Sequence, residues 1–193
     1  MKVKKAEFIK SAFKREHFIN DNLPQIAFAG RSNCGKSTLI NTLLNRKKLV
    51  KTSSKPGFTK SVNYFLINEE FYFVDLPGFG FAKVSKKEKV EWDRLITDFL
   101  KYSEHLRGVI HLVDIRRLLT KKDIFLIEYL SQFEIPFLIV LTKCDKLSKN
   151  EIAKSLKKLK KDFNIENPVV TSSLKKIGIE ELWREIKIVL NIE

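Results

Sequence analysis

The segment from Gly30 to Ser37 constrains the possible folds of this chain more than any other feature. It reads Gly30-Arg31-Ser32-Asn33-Cys34-Gly35-Lys36-Ser37, which matches the pattern G-x-x-x-x-G-K-S. An apolar segment at residues 25–29 precedes it and an amphipathic segment follows, so the pattern predicts a strand, a loop and a helix in succession. Backbone N–H groups of such a loop, together with the helix N-terminus, bind phosphate oxygens. The segment therefore predicts a site for nucleoside phosphates.

Two side chains of this loop have specific expected roles. Lys36 is expected to reach the β- and γ-phosphates, and Ser37 is expected to ligate Mg²⁺. With average residue usage, the bare pattern occurs by chance in roughly one chain of this length in a hundred or more. The strand–loop–helix context makes a chance match rarer still.

Apolar segments typical of strands alternate along the chain with amphipathic segments typical of helices. The predicted strands cover residues 25–29, 62–67, 71–75, 108–113, 136–141 and 168–171, and the predicted helices cover residues 37–45, 87–102, 122–132, 148–162 and 179–191. The second and third strands form a predicted hairpin, whereas the other strands need crossover helices. This order predicts a three-layer α/β fold, whose mostly parallel six-stranded sheet contains one antiparallel strand. Ligands bind such sheets beyond the carboxyl ends of the strands.

Two motifs downstream of the loop predict contacts with Mg²⁺ and the γ-phosphate. Thr59 follows a Pro-Gly turn and is our candidate for a second Mg²⁺ ligand; the alternative is an ordinary turn. The third predicted strand ends at Asp75 and is followed by Leu76-Pro77-Gly78, which gives the pattern D-x-x-G. Asp75 can hold Mg²⁺ through water, and the Gly78 N–H can bond the γ-phosphate. Loss of that phosphate would release both loops, as in NTPase switches.

A fourth motif predicts which base is bound. The fifth predicted strand leads into Thr142-Lys143-Cys144-Asp145. The Asp145 carboxylate can accept hydrogen bonds from N1–H and the 2-amino group of guanine, whereas adenine would leave it unpaired. The Lys143 stem can pack over the base, and backbone N–H groups of Thr171-Ser172-Ser173 can meet the guanine O6. The alternative for Asp145 and for the two serines is helix capping.

The charge of the chain predicts an anionic partner. Its 37 basic and 23 acidic residues give a net charge of +14. A basic surface attracts polyanions, chiefly nucleic acid or anionic lipid, and here we favour nucleic acid. The alternative is a lysine-rich solvated surface, as in many heat-stable proteins, but those surfaces usually balance Lys with Glu.

The remaining composition predicts a protein of the cytoplasm. Two cysteines, Cys34 and Cys144, do not form a disulfide framework. The polar N-terminus has no apolar signal core, and the longest apolar run, residues 135–141, is far too short to span a membrane. We expect a cytoplasmic monomer without stable membrane association.

The full set of motifs, in this order and spacing, resembles the translation-factor-like GTPases and, more narrowly, the EngB family of small bacterial ribosome-biogenesis GTP-binding proteins. The resemblance is carried by residues 23–37, 52–59, 75–82 and 142–145 and extends to the last predicted helix. It implies a P-loop NTPase fold of the Ras-like G-domain type over residues 23–193. Residues 1–22 would form an N-terminal extension packed on this domain.

The resemblance also implies function. The family binds GTP and GDP with Mg²⁺, assists assembly of the large ribosomal subunit, with the subunit precursor and its rRNA as partners, and is linked to normal cell division and septation. By motif match, Ser37 and Thr59 carry the Mg²⁺, and Lys36, Thr59 and Gly78 act at the γ-phosphate. The same match implies that the nucleotide contacts Gly30 to Ser37, then Gly57, Phe58, Thr59, Lys60 and Ser61, then Asp75 to Gly78, and finally Thr142 to Asp145 with Thr171, Ser172 and Ser173.

Two residues depart from the usual patterns. Thr142 stands where most GTPases have Asn, although this family commonly uses Thr, and a hydroxyl replaces only part of the bonding of an amide. Phe79 follows D-x-x-G, where this family usually has Tyr and many GTPases have a Gln that orients the attacking water. We therefore predict slow intrinsic hydrolysis.

Asn33 suggests a monovalent cation. Related GTPases with Asn at this place in the loop bind K⁺ beside the phosphates, where the ion acts as a fixed positive charge. The Asn33 side chain could supply an oxygen ligand. The alternative is that Asn33 only shapes the loop.

Two other function classes remain open at this stage. A P-loop ATPase or kinase would share the phosphate loop, but Asp145 and the Thr171–Ser173 segment argue against it. A non-catalytic scaffold that is gated by nucleotide would lack a hydrolytic residue after D-x-x-G, as this chain does.

Overall fold

A computed structural model, which describes residues 1–50, 61–78 and 86–192, shows one seven-stranded sheet with helices packed on both faces. The strands are β1 (Ala6–Ala12), β2 (Gln25–Gly30), β3 (Val62–Ile67), β4 (Phe71–Asp75), β5 (Leu106–Asp114), β6 (Phe137–Thr142) and β7 (Val169–Val170). The helices are α1 (Lys36–Leu43), α2 (Lys86–Tyr102), α3 (Lys121–Gln132), α4 (Lys149–Phe163) and α5 (Ile179–Leu190).

The sheet has the order β1-β3-β4-β2-β5-β6-β7. Strand β3 pairs antiparallel with both β1 and β4, while the pairs from β4 through β7 are parallel. Strand β3 therefore runs against the other six, and the prediction of a mostly parallel sheet with one antiparallel strand is confirmed.

The sheet has seven strands rather than the six predicted from the sequence, because the N-terminal segment forms β1. This strand lies at the edge and pairs from Ala6↔Ile67 to Ala12↔Val62, with an irregularity between Phe8 and Lys10. Most of its side chains are exposed or half-buried. An edge strand with a bulge lacks the alternation of buried and exposed residues that predicts a strand.

One face of the sheet is covered by α1 and α5. Their apolar residues, among them Leu39, Leu43, Trp183 and Ile186, share a core with apolar residues of β2, β4 and β5. The Trp183 ring stacks on Phe73 of β4 at 5.5 Å between centroids. Its indole Nε1 also donates a hydrogen bond to the backbone oxygen of Leu43. Trp183 thereby joins both helices to the sheet.

The opposite face is covered by α2, α3 and α4. Buried residues of α2 and α3, including Leu95, Phe99 and Leu130, pack against β2, β3 and β4. Leu159 of α4 lies in a third cluster with residues of β5 and β6. The two covered faces give the predicted three layers.

The parallel strands bring the predicted motifs to one edge of the sheet. The register pairs Phe28 with Asp75, Gly30 with Leu112, and Asp114 with Thr142. The carboxyl ends of β2, β4, β5 and β6 therefore meet at the same edge. None of the helices in the described ranges has the length and hydropathy needed to cross a membrane.

Candidate nucleotide-binding site

The phosphate loop connects the end of β2, at Gly30, to the start of α1, at Lys36. Two of its residues have left-handed backbone conformations, Asn33 with φ of 63° and Gly35 with φ of 102°. Gly30 is required for a different reason: a Cβ there would lie 2.8 Å from both the Leu112 backbone oxygen and the Cys34 Sγ. The loop thus turns tightly against β5.

Helix α1 points the amide groups of its first turn at this loop. Gly35 is its N-cap and provides no side-chain cap, and the first helical hydrogen bond runs from Leu39 N to Gly35 O at 2.9 Å. The N–H groups before Leu39 have no intrahelical acceptor and are suited to anionic oxygens. Ser37 is the second residue of α1 and is half-buried.

Cys34, in the same loop, is a packing residue. Its side chain is buried, and burial raises the pKa of the thiol to about 11, despite the opposing effect of nearby Lys36. The thiol is therefore protonated at neutral pH and lacks the thiolate character of a reactive cysteine.

Lys36 and Asp75 form a buried ion pair at the centre of the site. The Lys36 Nζ lies against Asp75 Oδ1, and the two side chains are 7% and 2% exposed. Asp75 is the last residue of β4 and lies beside β2 in the register. Burial of two charges is tolerable here because each neutralises the other. The structure thus brings together the residue predicted for phosphate and the residue predicted for Mg²⁺.

Gly78 contacts the phosphate loop. A Cβ at Gly78 would lie 2.9 Å from Ser32 Oγ and 3.3 Å from the backbone Cα and N of Ser32. Between Asp75 and Gly78, the backbone N–H of Leu76 donates to Phe28 O at 3.1 Å. The segment from Asp75 to Gly78, which includes Pro77, therefore runs along the loop that precedes α1.

Thr142 ties the predicted base-recognition segment to the phosphate loop. Its buried hydroxyl is 2.6 Å from the Cys34 backbone oxygen and 3.3 Å from the Val113 backbone oxygen. The hydroxyl therefore donates its hydrogen bond to the nearer oxygen, that of Cys34. Without this bond the Cys34 carbonyl would lack its hydroxyl donor. The threonine at this position thus links β6 to the loop.

Lys143 extends along the same loop. Its backbone is left-handed, with φ of 63°, and its Nζ donates to the backbone oxygen of Asn33 at 2.6 Å. The same nitrogen lies 3.1 Å from Asp114 Oδ2. Its Cε would be 3.7 Å from a Cβ added to Gly35, so the stem of Lys143 lies over the start of α1.

Asp114 and Arg116 belong to this network, and sequence reasoning missed both. Arg116 donates to Asp114 through Nε at 2.9 Å and through a terminal nitrogen at 2.7 Å. Burial alone would raise the pKa of Asp114, but hydrogen bonds from Arg116 and Lys143 outweigh it and lower the pKa to about 2. The signal available in the sequence was an acid and an arginine two residues apart at a strand end.

Asp145 is held by Ser172. The Ser172 hydroxyl donates to Asp145 Oδ1 at 2.6 Å, and this bond is the main cause of a lowered pKa of Asp145. Ser172 Oγ also accepts from the Lys175 N–H at 3.1 Å. The Ser172 hydroxyl thus both caps the turn that follows it, as the capping alternative for this serine expects, and bonds Asp145.

The three residues predicted to meet the guanine O6 differ in their backbone bonding. The Thr171 N–H donates to Leu141 O at 2.7 Å, and the Ser172 N–H donates to Ile177 O at 3.1 Å. These two groups are used within the chain. Ser173 is the member of the set whose N–H has no such bond among the described backbone hydrogen bonds.

Part of the predicted site lies outside the described residues. This applies to Gly57, Phe58, Thr59 and Lys60, and to Phe79. Ser61, just before β3, is buried, and its hydroxyl is 2.9 Å from Asn63 Oδ1.

The residues present suit Mg²⁺ bound together with a nucleotide. A serine hydroxyl at position 37 and the carboxylate of Asp75 are the hard oxygen donors that Mg²⁺ prefers. In the ranges that the structure describes, no group of three or more His, Cys, Asp or Glu side chains could hold a metal ion by itself. Phosphate oxygens and water would complete the coordination, as is usual for Mg²⁺ at nucleotide sites.

Known proteins are similar to this chain in sequence and fold. A family described as "50S ribosome-binding GTPase" matches residues 25–143. A "Probable GTP-binding protein EngB" of Thermoanaerobacter pseudethanolicus is 50% identical over 184 residues, which cover 94% of this chain and 96% of that protein. The crystal structure of a probable GTP-binding protein engB superposes with a TM-score of 0.71 at 24% identity, covering 86% of this chain and 98% of that one. A structure of Era with MgGDPNP and a 16S ribosomal RNA fragment gives a TM-score of 0.69 at 23% identity, over 85% of this chain and 55% of that one.

Proposed function

Because this chain belongs to the EngB family of GTP-binding proteins, we propose that it is a GTP-dependent switch that assists assembly of the large ribosomal subunit. It is a GTPase, as its family is. The observation that supports the assignment best is the bonding of Thr142 and Lys143 to the phosphate loop, next to an Asp145 carboxylate held by Ser172. Base and phosphate contacts are thereby built into one unit.

Guanine recognition is assigned to Asp145, Lys143 and Ser173. The Asp145 carboxylate accepts from N1–H and the 2-amino group of the base, and its lowered pKa keeps it ionised at neutral pH. The Lys143 stem packs over the base, and the Ser173 N–H donates to O6. Adenine offers neither donor to Asp145 and would leave a buried carboxylate oxygen unpaired.

Phosphate binding is assigned to the loop from Gly30 to Ser37. Lys36 would reach the β- and γ-phosphates, and Asp75 would hold the metal through water. The hydroxyls of Ser37 and Thr59 would be the direct Mg²⁺ ligands, and the Gly78 N–H would bond the γ-phosphate. When bound, Mg²⁺ would neutralise charge that develops on the phosphates during transfer. Era, of similar fold, is bound to MgGDPNP in its crystal structure.

The ion pair of Lys36 with Asp75 places a cation suited to phosphate beside an anion suited to Mg²⁺. A nucleotide with Mg²⁺ supplies an anion for Lys36 and a cation for Asp75, so each charge keeps a partner when the pair separates. When the γ-phosphate is lost, the contacts of Thr59 and Gly78 with it are lost as well.

Hydrolysis by the chain alone is expected to be slow. Phe79 has no polar atom with which to orient an attacking water, so that group must come from another element or from the ribosomal partner. Single-turnover kinetics of the purified protein measure this directly. A fast rate without any partner would contradict it.

The ribosomal partner is supported by three observations. The matching family is described as ribosome-binding, Era of similar fold holds a ribosomal RNA fragment, and this chain carries a net charge of +14.

We assign the protein to the cytoplasm as a monomer without stable membrane association, with residues 1–22 as an extension packed on the G domain of residues 23–193. A role in cell division and septation is part of the same proposal and rests on resemblance to the EngB family.

The deciding experiment compares GTP turnover with and without large-subunit particles. Particles that bind the GTP form and raise turnover support a GTPase switch in assembly. Binding that depends on GTP but leaves turnover unchanged indicates a nucleotide-gated scaffold, which the phenylalanine at position 79 does not exclude. If the protein does not bind large-subunit particles in either nucleotide state, the proposed role in assembly is wrong.

A further inference from the structure

Helix α4 has the highest formal charge of the helices α1 to α5. It carries six lysines against two carboxylates, a formal charge of +4 over 15 residues. The last helix, α5, carries three glutamates against Arg184 and Lys187, which gives a formal charge of −1. The excess of basic residues is therefore not spread evenly over the surface.

The packing of α4 fixes where these lysines point. Its apolar residues Ile152, Leu156, Leu159 and Phe163 lie in the cluster formed with β5 and β6. Four exposed lysines follow the spacing i, i+3, i+4, i+7, which places them in one line on the opposite side of the helix. This lysine face of α4 consists of Lys154, Lys157, Lys158 and Lys161.

Among the described residues, carboxylates neutralise the lysine face only weakly. In the part of the chain that the structure describes, Lys160 of α4 pairs with Glu166 at 3.0 Å, but none of the four lysines of the face has a carboxylate within salt-bridge distance. Glu151 is used in the capping box with Ser148 at the helix start. Neighbouring ammonium groups repel one another, and an anionic chain that binds along the four lysines relieves that repulsion.

We propose that the lysine face of α4 docks the phosphate backbone of structured RNA. The proposal rests on the proposed function and names the surface through which that partner is held. From Lys154 to Lys161 the face extends about 10 Å along the helix, at about 1.5 Å per residue. It can thus contact consecutive phosphates of one strand, without reading base sequence.

Two other kinds of partner fit this face less well. A helix that lies on a membrane inserts an apolar side into lipid, whereas the apolar side of α4 is packed against the sheet. Protein interfaces favour aromatic and arginine anchors over lysine at their centre, and the face consists of lysines.

The position of α4 predicts that docking does not depend on the γ-phosphate. The helix starts at Lys149, shortly after Asp145, and packs on β5 and β6. Lys36 and Gly78, which are assigned to the γ-phosphate, follow β2 and β4 instead. The lysine face therefore acts as a constant anchor for RNA, and nucleotide-dependent contacts are made elsewhere.

The test is a quadruple variant, K154Q/K157Q/K158Q/K161Q, measured against a control of equal charge change, K2Q/K4Q/K47Q/K48Q, whose four lysines are also exposed. Binding to a fluorescent RNA hairpin and to large-subunit particles is measured over roughly 50 to 300 mM KCl, with GDP and with a non-hydrolysable GTP analogue. We expect the α4 variant to bind about tenfold or more weakly, with a salt slope lower by about 3. The control should change the slope by less than about 1. Unchanged GTP affinity shows that both variants are folded.

The remaining outcomes count against the proposal in distinguishable ways. Equal losses in both variants show that net charge, not the α4 face, is responsible. No loss in the α4 variant, while the unsubstituted protein binds particles, overturns the α4 surface and leaves the proposed function intact. A loss confined to the GTP state contradicts a constant anchor. Binding to vesicles with anionic lipid but not to RNA or particles overturns the surface and the proposed ribosomal partner together.

Discussion

Lys143 Nζ lies 2.6 Å from the backbone oxygen of Asn33, so the segment that recognises the base is bonded directly to the loop that binds phosphate. The same ammonium group is 3.1 Å from Asp114, which Arg116 holds with two hydrogen bonds. A second link, from Thr142 to Cys34, lies beside it. The two halves of the nucleotide site are thus bonded directly to each other within the fold.

Thr142 tests whether the link between the two halves supports binding. T142V keeps the shape of the side chain but leaves the Cys34 carbonyl without its 2.6 Å donor. We expect a loss of roughly 1–3 kcal/mol in the free energy of unfolding, and weaker binding of GDP and GTP by similar factors. Urea unfolding and titration with a fluorescent guanine nucleotide measure the two effects.

The matched control is T142S, which retains the hydroxyl. It should keep most of the affinity, since the donor to Cys34 remains. If T142V and T142S behave alike, the hydroxyl does not carry the link.

Asp114 predicts a specific dependence of stability on pH. Its pKa is lowered from 3.8 to about 2 in the folded protein, so the folded state gains stability from the ionised form above about pH 4 and loses it as the pH falls towards 2. The gain is on the order of 2 kcal/mol. D114N should remove it, so the difference in unfolding free energy between D114N and the unsubstituted protein should shrink between pH 4 and 2.

R116K serves as the control for this prediction. R116K keeps a positive charge but loses the bidentate contact with Asp114. The difference in unfolding free energy between R116K and the unsubstituted protein should therefore be smaller than that between D114N and the unsubstituted protein. A difference between D114N and the unsubstituted protein that is constant across this pH range would show that Asp114 is not a low-pKa group.

Asn33 tests the role of K⁺. Its left-handed backbone, with φ of 63°, agrees with a loop-shaping role, and its side-chain oxygen agrees with a cation ligand. N33G separates the two, because glycine adopts this conformation easily but lacks the oxygen. If Asn33 supports K⁺, hydrolysis by the unsubstituted protein is faster in KCl than in NaCl, and N33G abolishes the difference. Identical rates in the two salts rule out the K⁺ role.

The sequence predicted the parts of the fold that carry a strong local pattern. The strands at Val62–Ile67 and Phe71–Asp75 were predicted to the residue. Helix ends differed by no more than two residues, since terminal turns depend on local capping. The start of α1 at Lys36, rather than at Ser37, is of this kind.

The parts that the sequence did not predict depend on contacts between distant residues. Strand β1 is defined by its pairing with β3, at least 50 residues away, and not by its own alternation of apolar side chains. The contact of Asp114 with Lys143 arises because β5 and β6 end side by side. Likewise, the bond from Thr142 to Cys34 spans 108 positions in the sequence. No local pattern of apolar and polar residues contains this information.

Base selection by Asp145 determines whether this site is specific for guanine nucleotides. The measurement is competition of GTP, ATP and xanthosine triphosphate for the site, in the unsubstituted protein and in D145N. Xanthine replaces the 2-amino group of guanine with an oxygen, which the amide of an asparagine can bond. We predict that the unsubstituted protein prefers GTP over both competitors by about a hundredfold or more, and that D145N loses GTP affinity and gains preference for the xanthine nucleotide. Equal binding of ATP and GTP by the unsubstituted protein, or an unchanged preference in D145N, would contradict the assignment.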